Sequence, residues 1–226
     1  MIADDKRVRI ISGYYGSGKT EFAVNYVTKL RQCAGGKVAI ADLDIVNVYF
    51  RSREKKGELE AKGVQVIASN LDTTAADLPA VSGAMTMPVT NKAYQYVIDL
   101  GGSDVGTLVL GRIKPLLDHG ETDFFMVVNT YRPDTAAPEK IAEQMENLEY
   151  AAGLKVTGFI NNTNLIRETT ADCLRRGDEI LKEASRLTGV PVRYVSYVEG
   201  LLTEEVPAGL AGELFPMEFH MRETWM

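Results

Sequence analysis

Seven short β-rich apolar runs, separated by segments with helical character, predict a doubly wound α/β domain with a mostly parallel sheet. The runs are 8–12, 38–43, 64–69, 94–100, 124–129, 156–161 and 192–196. Most are nearly continuous in apolar residues rather than alternating, the pattern of parallel strands buried on both faces. The intervening stretches 21–32, 138–152 and 169–187 read as helices, so strand and helix alternate and helices cover both faces of the sheet. No repeat, low-complexity tract or linker interrupts the 226 residues, and one domain over 1–226 is expected.

In chain order, the run Val8-Arg9-Ile10-Ile11-Ser12 leads directly into Gly13-Tyr14-Tyr15-Gly16-Ser17-Gly18-Lys19-Thr20. The helix 21–32 follows at once, with apolar Phe22, Val24, Tyr26, Val27 and Leu30. The second run ends in Ala41-Asp42-Leu43-Asp44, and the fourth in Asp99-Leu100-Gly101-Gly102. Residues 72–91 contain Pro79, Gly83 and Pro88 and read as a loop with a short helix at the edge of a site. The sixth run closes with Asn161-Asn162. In 169–187, Cys173, Leu174, Ile180, Leu181, Ala184 and Leu187 are spaced for one apolar face. The tail, about 213–226, alternates Phe215, Met217, Phe219 and Met221 with polar residues or proline. It reads as an extended segment packing on the body or on a partner.

Composition narrows the function classes. With 45% hydrophobic and 25% charged residues the chain is globular in character, and its net charge of −6 argues against non-specific binding to nucleic acid or anionic lipid. Cys33 and Cys173 lie in no metal-binding or redox spacing, and with His119 and His220 they form no cluster in sequence. The first residues carry no signal-peptide pattern, and no run approaches the ~20 apolar residues of a membrane span. A cytoplasmic location is the expectation.

The stretch 13–20 has the form GxxxxGK[ST] in the strand–loop–helix setting that a phosphate-binding loop requires. Its glycines allow unusual backbone angles and close approach, so that amides point inward. The helix N-terminus adds partial positive charge where phosphate oxygens would lie. Lys19 then reaches the β- and γ-phosphates, and the Thr20 hydroxyl ligates magnesium. Gly13, Gly16, Ser17, Gly18, Lys19, Thr20 and Glu21 are therefore the candidate nucleotide-binding residues. Asp99 can hold the metal through water, and Gly102 can offer an amide to the γ-phosphate. Asp42 and Asp44 are two apart and share a side of an extended chain, which suits a cation or an attacking water at the carboxyl edge of the sheet.

The order of Gly16-Ser17-Gly18-Lys19-Thr20, Asp42-Leu43-Asp44 and Asp99-Leu100-Gly101-Gly102 resembles the MinD/ParA/CobQ-type nucleotide-binding superfamily, within the SIMIBI class of P-loop NTPases. The run 42–54 looks like that of a bacterial and archaeal ATP-binding subgroup. The resemblance covers essentially the whole chain and implies about seven strands in the order 3-2-4-1-5-6-7. It implies catalysis by Lys19 and Asp44, with Asp44 orienting the attacking water. Thr20 binds magnesium directly, and Asp42 and Asp99 steady its water shell. Asn162, or its neighbour Asn161, reads the adenine edge. The second loop lysine by which many members reach across a dimer is replaced here by Tyr14, which puts that mode of homodimerisation in doubt; Arg51 or Arg53 is a candidate replacement cation. Asn161-Asn162-Thr163-Asn164 lacks the aspartate of guanine-reading relatives, which favours ATP.

The resulting expectation is a magnesium-dependent ATP-binding protein, a slow ATPase acting as a switch on a protein partner. An ATP-dependent transferase or ligase, with a small-molecule acceptor held by loop 72–91 and Arg51/Arg53, is the alternative. A metal-insertion chaperone fits less well, because such relatives present a Cys or His cluster.

Overall fold

The computed structural model describes residues 2–43, 55–68, 83–101, 110–111 and 113–221. Asp44, Arg51, Arg53, Gly102 and the 72–82 part of the loop lie outside these residues. The runs that are apolar throughout became strands buried throughout. β1 (Val8–Gly13), β4 (Tyr94–Leu100), β5 (Thr122–Val128) and β6 (Gly158–Asn161) are buried along nearly their whole length. With β2 (Lys37–Leu43), β3 (Val64–Ala68), β7 (Val192–Val198) and β8 (Glu213–Met217) they form one sheet in the order β3-β2-β4-β1-β5-β6-β7-β8. Every neighbouring pair is parallel.

The expected seven-strand order holds, and the tail extends it by an eighth strand on β7. Extended character was legible there, but sheet membership was not. The segment is only five residues long and contains Pro216, which offers no N–H to a ladder and is tolerated only where one side of the strand is unpaired. β8 is that edge. Phe215 turns inward onto Phe22, Tyr194 and Tyr26, with ring centroids 4.8, 5.4 and 6.1 Å away.

Helices cover both faces. On one lie α1 (Lys19–Cys33) and α2 (Lys56–Ala61), whose Phe22, Val27, Leu30 and Leu59 pack with Ile40, Val66 and Val97. On the other lie α3 (Gly83–Thr90), α4 (Pro138–Ala152) and α5 (Ala171–Thr188), contributing Met85, Ile141, Leu174 and Leu181 to a cluster with Ile98, Phe124 and Phe159. α3 is the short helix expected within 72–91, and it runs through Pro88. Its last carbonyls are met by Arg7, which donates to Pro88 O at 2.8 Å and Val89 O at 2.7 Å, a cation at a helix C-terminus.

This topology gathers the carboxyl ends of β1, β2, β4, β5, β6 and β7 at one edge of the sheet. The loops that follow those strands carry the chemistry singled out in the sequence.

Candidate functional site

The loop between β1 and α1 needs glycine at three positions for different reasons. A Cβ on Gly13 would stand 2.4 Å from the Val127 carbonyl oxygen of β5, so only a bare backbone can leave the sheet there. Gly16 and Gly18 have φ of 73° and 85°, in the left-handed region. The Ser17 amide donates to Tyr14 O at 3.1 Å, which closes the turn, and the Phe22 amide donates to Gly18 O at 3.0 Å, which starts α1. The N-cap position of α1 is Gly18, which has no side chain to cap it. Lys19 (6% exposed), Thr20 and Ser17 are buried in the loop's hollow, while Tyr15 (73% exposed) stands outside with Tyr14.

Asp42 and Asp99 meet across the sheet. They are direct Cα partners on β2 and β4, and Asp99 also partners Ile11 at the end of β1. Each lies two residues beyond an apolar residue, Ile40 and Val97, that packs beneath α1. Both carboxylates therefore face the side from which α1 starts. Both are buried, Asp99 completely at 0% exposure. The Thr20 hydroxyl oxygen is buried without a hydrogen-bond partner among the described residues. A buried hydroxyl left open on the face that carries two carboxylates is an all-oxygen donor set, the kind a hard divalent cation takes. The residues fit magnesium.

Asn162 occupies a different place from an open base-reading position. Its Nδ2 donates to Ser17 O at 2.7 Å, and its Oδ1 lies 2.7 Å from the Ser196 hydroxyl of β7. At 3% exposure it ties the glycine loop to the ends of β6 and β7. Gly18 makes room for it, since a Cβ there would lie 2.3 Å from Nδ2. Asn161 is likewise turned inward; its Oδ1 accepts the Thr163 amide at 3.2 Å.

Glu21 directs its side chain to the C-terminal tail. Its carboxylate accepts the backbone amides of His220 at 2.6 Å and Met221 at 3.1 Å. One turn on, Asn25 exchanges two hydrogen bonds with the Glu218 backbone, at 2.9 and 2.8 Å. The helix that begins in the glycine loop therefore holds the C-terminal tail along its side.

A cavity of about 290 Å³ opens directly from the loop. Gly16, Gly18 and Asn162 form one end, and Tyr197, Val198, Leu202, Met217 and Phe219 give an apolar wall. Asn129 and Asn164 knit its rim: Asn129 Nδ2 donates to Asn164 O at 3.1 Å, and Asn129 Oδ1 accepts the Tyr131 amide at 3.0 Å. Tyr131, also on the rim, reaches Cys173 Sγ at 3.4 Å. Burial pushes the Cys173 thiol up, but hydrogen bonds from Thr170 and Tyr131 outweigh it and leave the thiol below its usual value.

Sequence reading missed three contributors: Arg132, Ser196 and the tail. Arg132 Nε donates to Gly16 O at 3.0 Å. The tail carried a signal, the alternation of Phe215, Met217 and Phe219. Arg132 and Ser196 carried none, because their roles arise only from strand pairing, β5 beside β1 for Arg132 and β6 beside β7 for Ser196.

In comparisons of structure, 74 chains of known structure match. Among them are FtsY from Thermotoga maritima, 19% identical with a TM-score of 0.57, and FtsY from Mycoplasma mycoides, 15% identical with a TM-score of 0.55. A third is the signal recognition particle receptor FtsY from Elizabethkingia anophelis in complex with GDP, 18% identical with a TM-score of 0.55. Each alignment covers 86% of this chain and 62%, 60% and 57% of the respective FtsY chain. The fold is an α/β P-loop fold. The chain spans about three fifths of the length of these FtsY chains. No protein-family model matches the chain, and no curated protein matches it in sequence.

Proposed function

We propose that this chain, as one nucleotide-binding domain, binds ATP with magnesium and hydrolyses it slowly as a switch. The observation that carries the reading is the convergence at one sheet edge of a buried lysine, an open threonine hydroxyl and the Asp42/Asp99 pair, beside a partly apolar cavity.

In this reading the inward amides of the glycine loop and the Lys19 ammonium offset the charge of the phosphates. Thr20 holds magnesium directly, Asp42 and Asp99 hold its water shell, and the cation supplies further charge neutralisation at the terminal phosphate. Asp44 orients the attacking water, and Gly102 contributes an amide. The presence or absence of the γ-phosphate sets the state of the switch. The apolar wall of Tyr197, Val198 and Leu202 receives the base. Adenine is favoured over guanine because residues 161–165 include no carboxylate to accept from guanine's ring N–H and amino group. The nearest acidic side chain in sequence is Glu168, exposed at the cavity rim.

A thermal-shift series with ATP, GTP and magnesium tests the reading. At 100 times the dissociation constant, ATP should add about 2.7 kcal/mol, a rise of about 5–10 °C for a chain of this size. Lys19→Ala should slow phosphate release about 100- to 1000-fold. Unchanged melting with either nucleotide would overturn the reading, as would full turnover by the Lys19 variant.

A further inference from the structure

We propose that Arg132 is a nucleotide-contacting residue that supplies, from within the same chain, a second cation to the phosphates; this rests on the reading of the loop as a nucleotide site. The guanidinium lies against the glycine loop. A Cβ on Gly16 would meet Arg132 Cζ and Nε at 3.0 Å and one terminal nitrogen at 3.2 Å. It is docked there by the single bond from Nε to the Gly16 carbonyl.

The backbone presents it firmly. The Arg132 amide donates to Asn129 O and the Thr135 amide to Arg132 O, each at 3.0 Å. The buried Thr135 hydroxyl donates to Asn129 O at 2.8 Å. Arg132 thus sits on a tight, pinned turn at the end of β5, the strand next to β1.

Nε is used by the loop, and the terminal nitrogens make no hydrogen bond or ion pair with any described residue. A guanidinium has five N–H donors in a planar fork suited to phosphate oxygens, and one of them suffices for docking. Arg132 lines the cavity together with Gly16 and Gly18 of the loop. A guanidinium on a loop of inward amides adds to the same positive field that an anion would enter. It also places a fixed cation beside a loop whose Tyr14 position carries none. Surface solvation of an exposed arginine is the plain alternative, but it calls for neither the docking bond nor the pinned turn.

The test uses the full chain with magnesium, comparing wild type, Arg132→Gln and Arg132→Lys. Glutamine can keep a donor to Gly16 O without the charge; lysine keeps the charge without the fork. ATP and ADP affinity should fall about tenfold or more in Arg132→Gln, with adenosine unaffected, and Arg132→Lys should recover part of the loss. If adenosine binds too weakly to titrate, the dependence of ATP affinity on ionic strength replaces it and should be shallower in Arg132→Gln than in wild type. ATP affinity within twofold of wild type in Arg132→Gln would overturn the proposal. So would an equal loss for adenosine and ATP, or equal salt slopes, because Arg132 would then act only on the shape of the loop. Melting of the unliganded variants confirms that each is folded. A wild-type chain that binds neither ATP nor GTP would instead overturn the nucleotide reading itself.

Discussion

Replacing Asn162 by alanine separates two roles for that residue, because they make opposite statements about the unliganded protein. As a base reader, Asn162 would contribute nothing until nucleotide arrives. As the tie seen in the structure, it satisfies the Ser17 carbonyl at 2.7 Å and meets the Ser196 hydroxyl at 2.7 Å, and both Asn162 and Ser196 are buried. Alanine leaves the Ser17 carbonyl without that partner, while the Ser196 hydroxyl can still donate to Asn161 O at 3.2 Å. One buried group so abandoned costs about 1–3 kcal/mol, a loss expected before any ligand is added. For a chain of this size that lowers the melting temperature by about 2–12 °C. ATP and GTP affinity should fall together, since the loop itself is loosened and no base-specific contact is removed. Scanning calorimetry of the unliganded variant, followed by titration with both nucleotides, provides the assay. Unliganded melting within about 1 °C of wild type, with ATP affinity lost and GTP affinity kept, would refute the tie and restore the base-reading role.

Three further outcomes follow from the same geometry. Gly18→Ala forces a side chain onto φ of 85° and against Asn162 Nδ2 at 2.3 Å, so nucleotide affinity should drop at least tenfold in direct titration while far-ultraviolet dichroism keeps its wild-type shape. Phe215→Ala empties the centre of the ring cluster beneath β8 and should cost about 3–5 kcal/mol in denaturant unfolding. His220, beside Glu58 at 3.3 Å, has its imidazole pulled below 6.5 chiefly by burial, against the opposing pull of Glu58. The folded chain then binds this proton less readily than the unfolded one. Its contribution is intact above about pH 6.5 and is lost as pH falls through the depressed value. Melting measured across that interval should decline more steeply for wild type than for His220→Gln.

The fold was legible where burial alone dictated sequence. Strands flanked by helices on both faces can hold little but apolar residues, so β1, β4 and β5 stood out as continuous runs, and the expected helix 138–152 matches α4 at both ends. β8 was harder, because an edge strand is constrained on one side only: Phe215 and Met217 report the buried side, while Leu214 is exposed and Pro216 half-buried. The sequence registered an apolar stripe but had no means of saying that β7 lay beneath it.

The site divides along a similar line. Gly13, Gly16, Gly18, Lys19 and Thr20 are local: backbone angle, close approach and helix start constrain adjacent positions together, which is why eight residues sufficed to propose the loop. Asp42 and Asp99 were legible because each ends a strand. That they are direct partners was not, since the implied strand order set β4 between β1 and β2 but left the Asp42–Asp99 register open. Glu21, Asn162 and Arg132 lie one step further away. Each has a side chain able to serve a ligand, and each is committed wholly or in part to the protein: Glu21 to the tail amides, Asn162 to Ser17 and Ser196, Arg132 by Nε to Gly16. Residue type states what a side chain can bond to, whereas long-range pairing decides what it has left to offer. By that measure Asn162 has one amide hydrogen to spare and Arg132 has nearly a whole guanidinium, so Arg132 is the better placed of the two to meet an incoming anion.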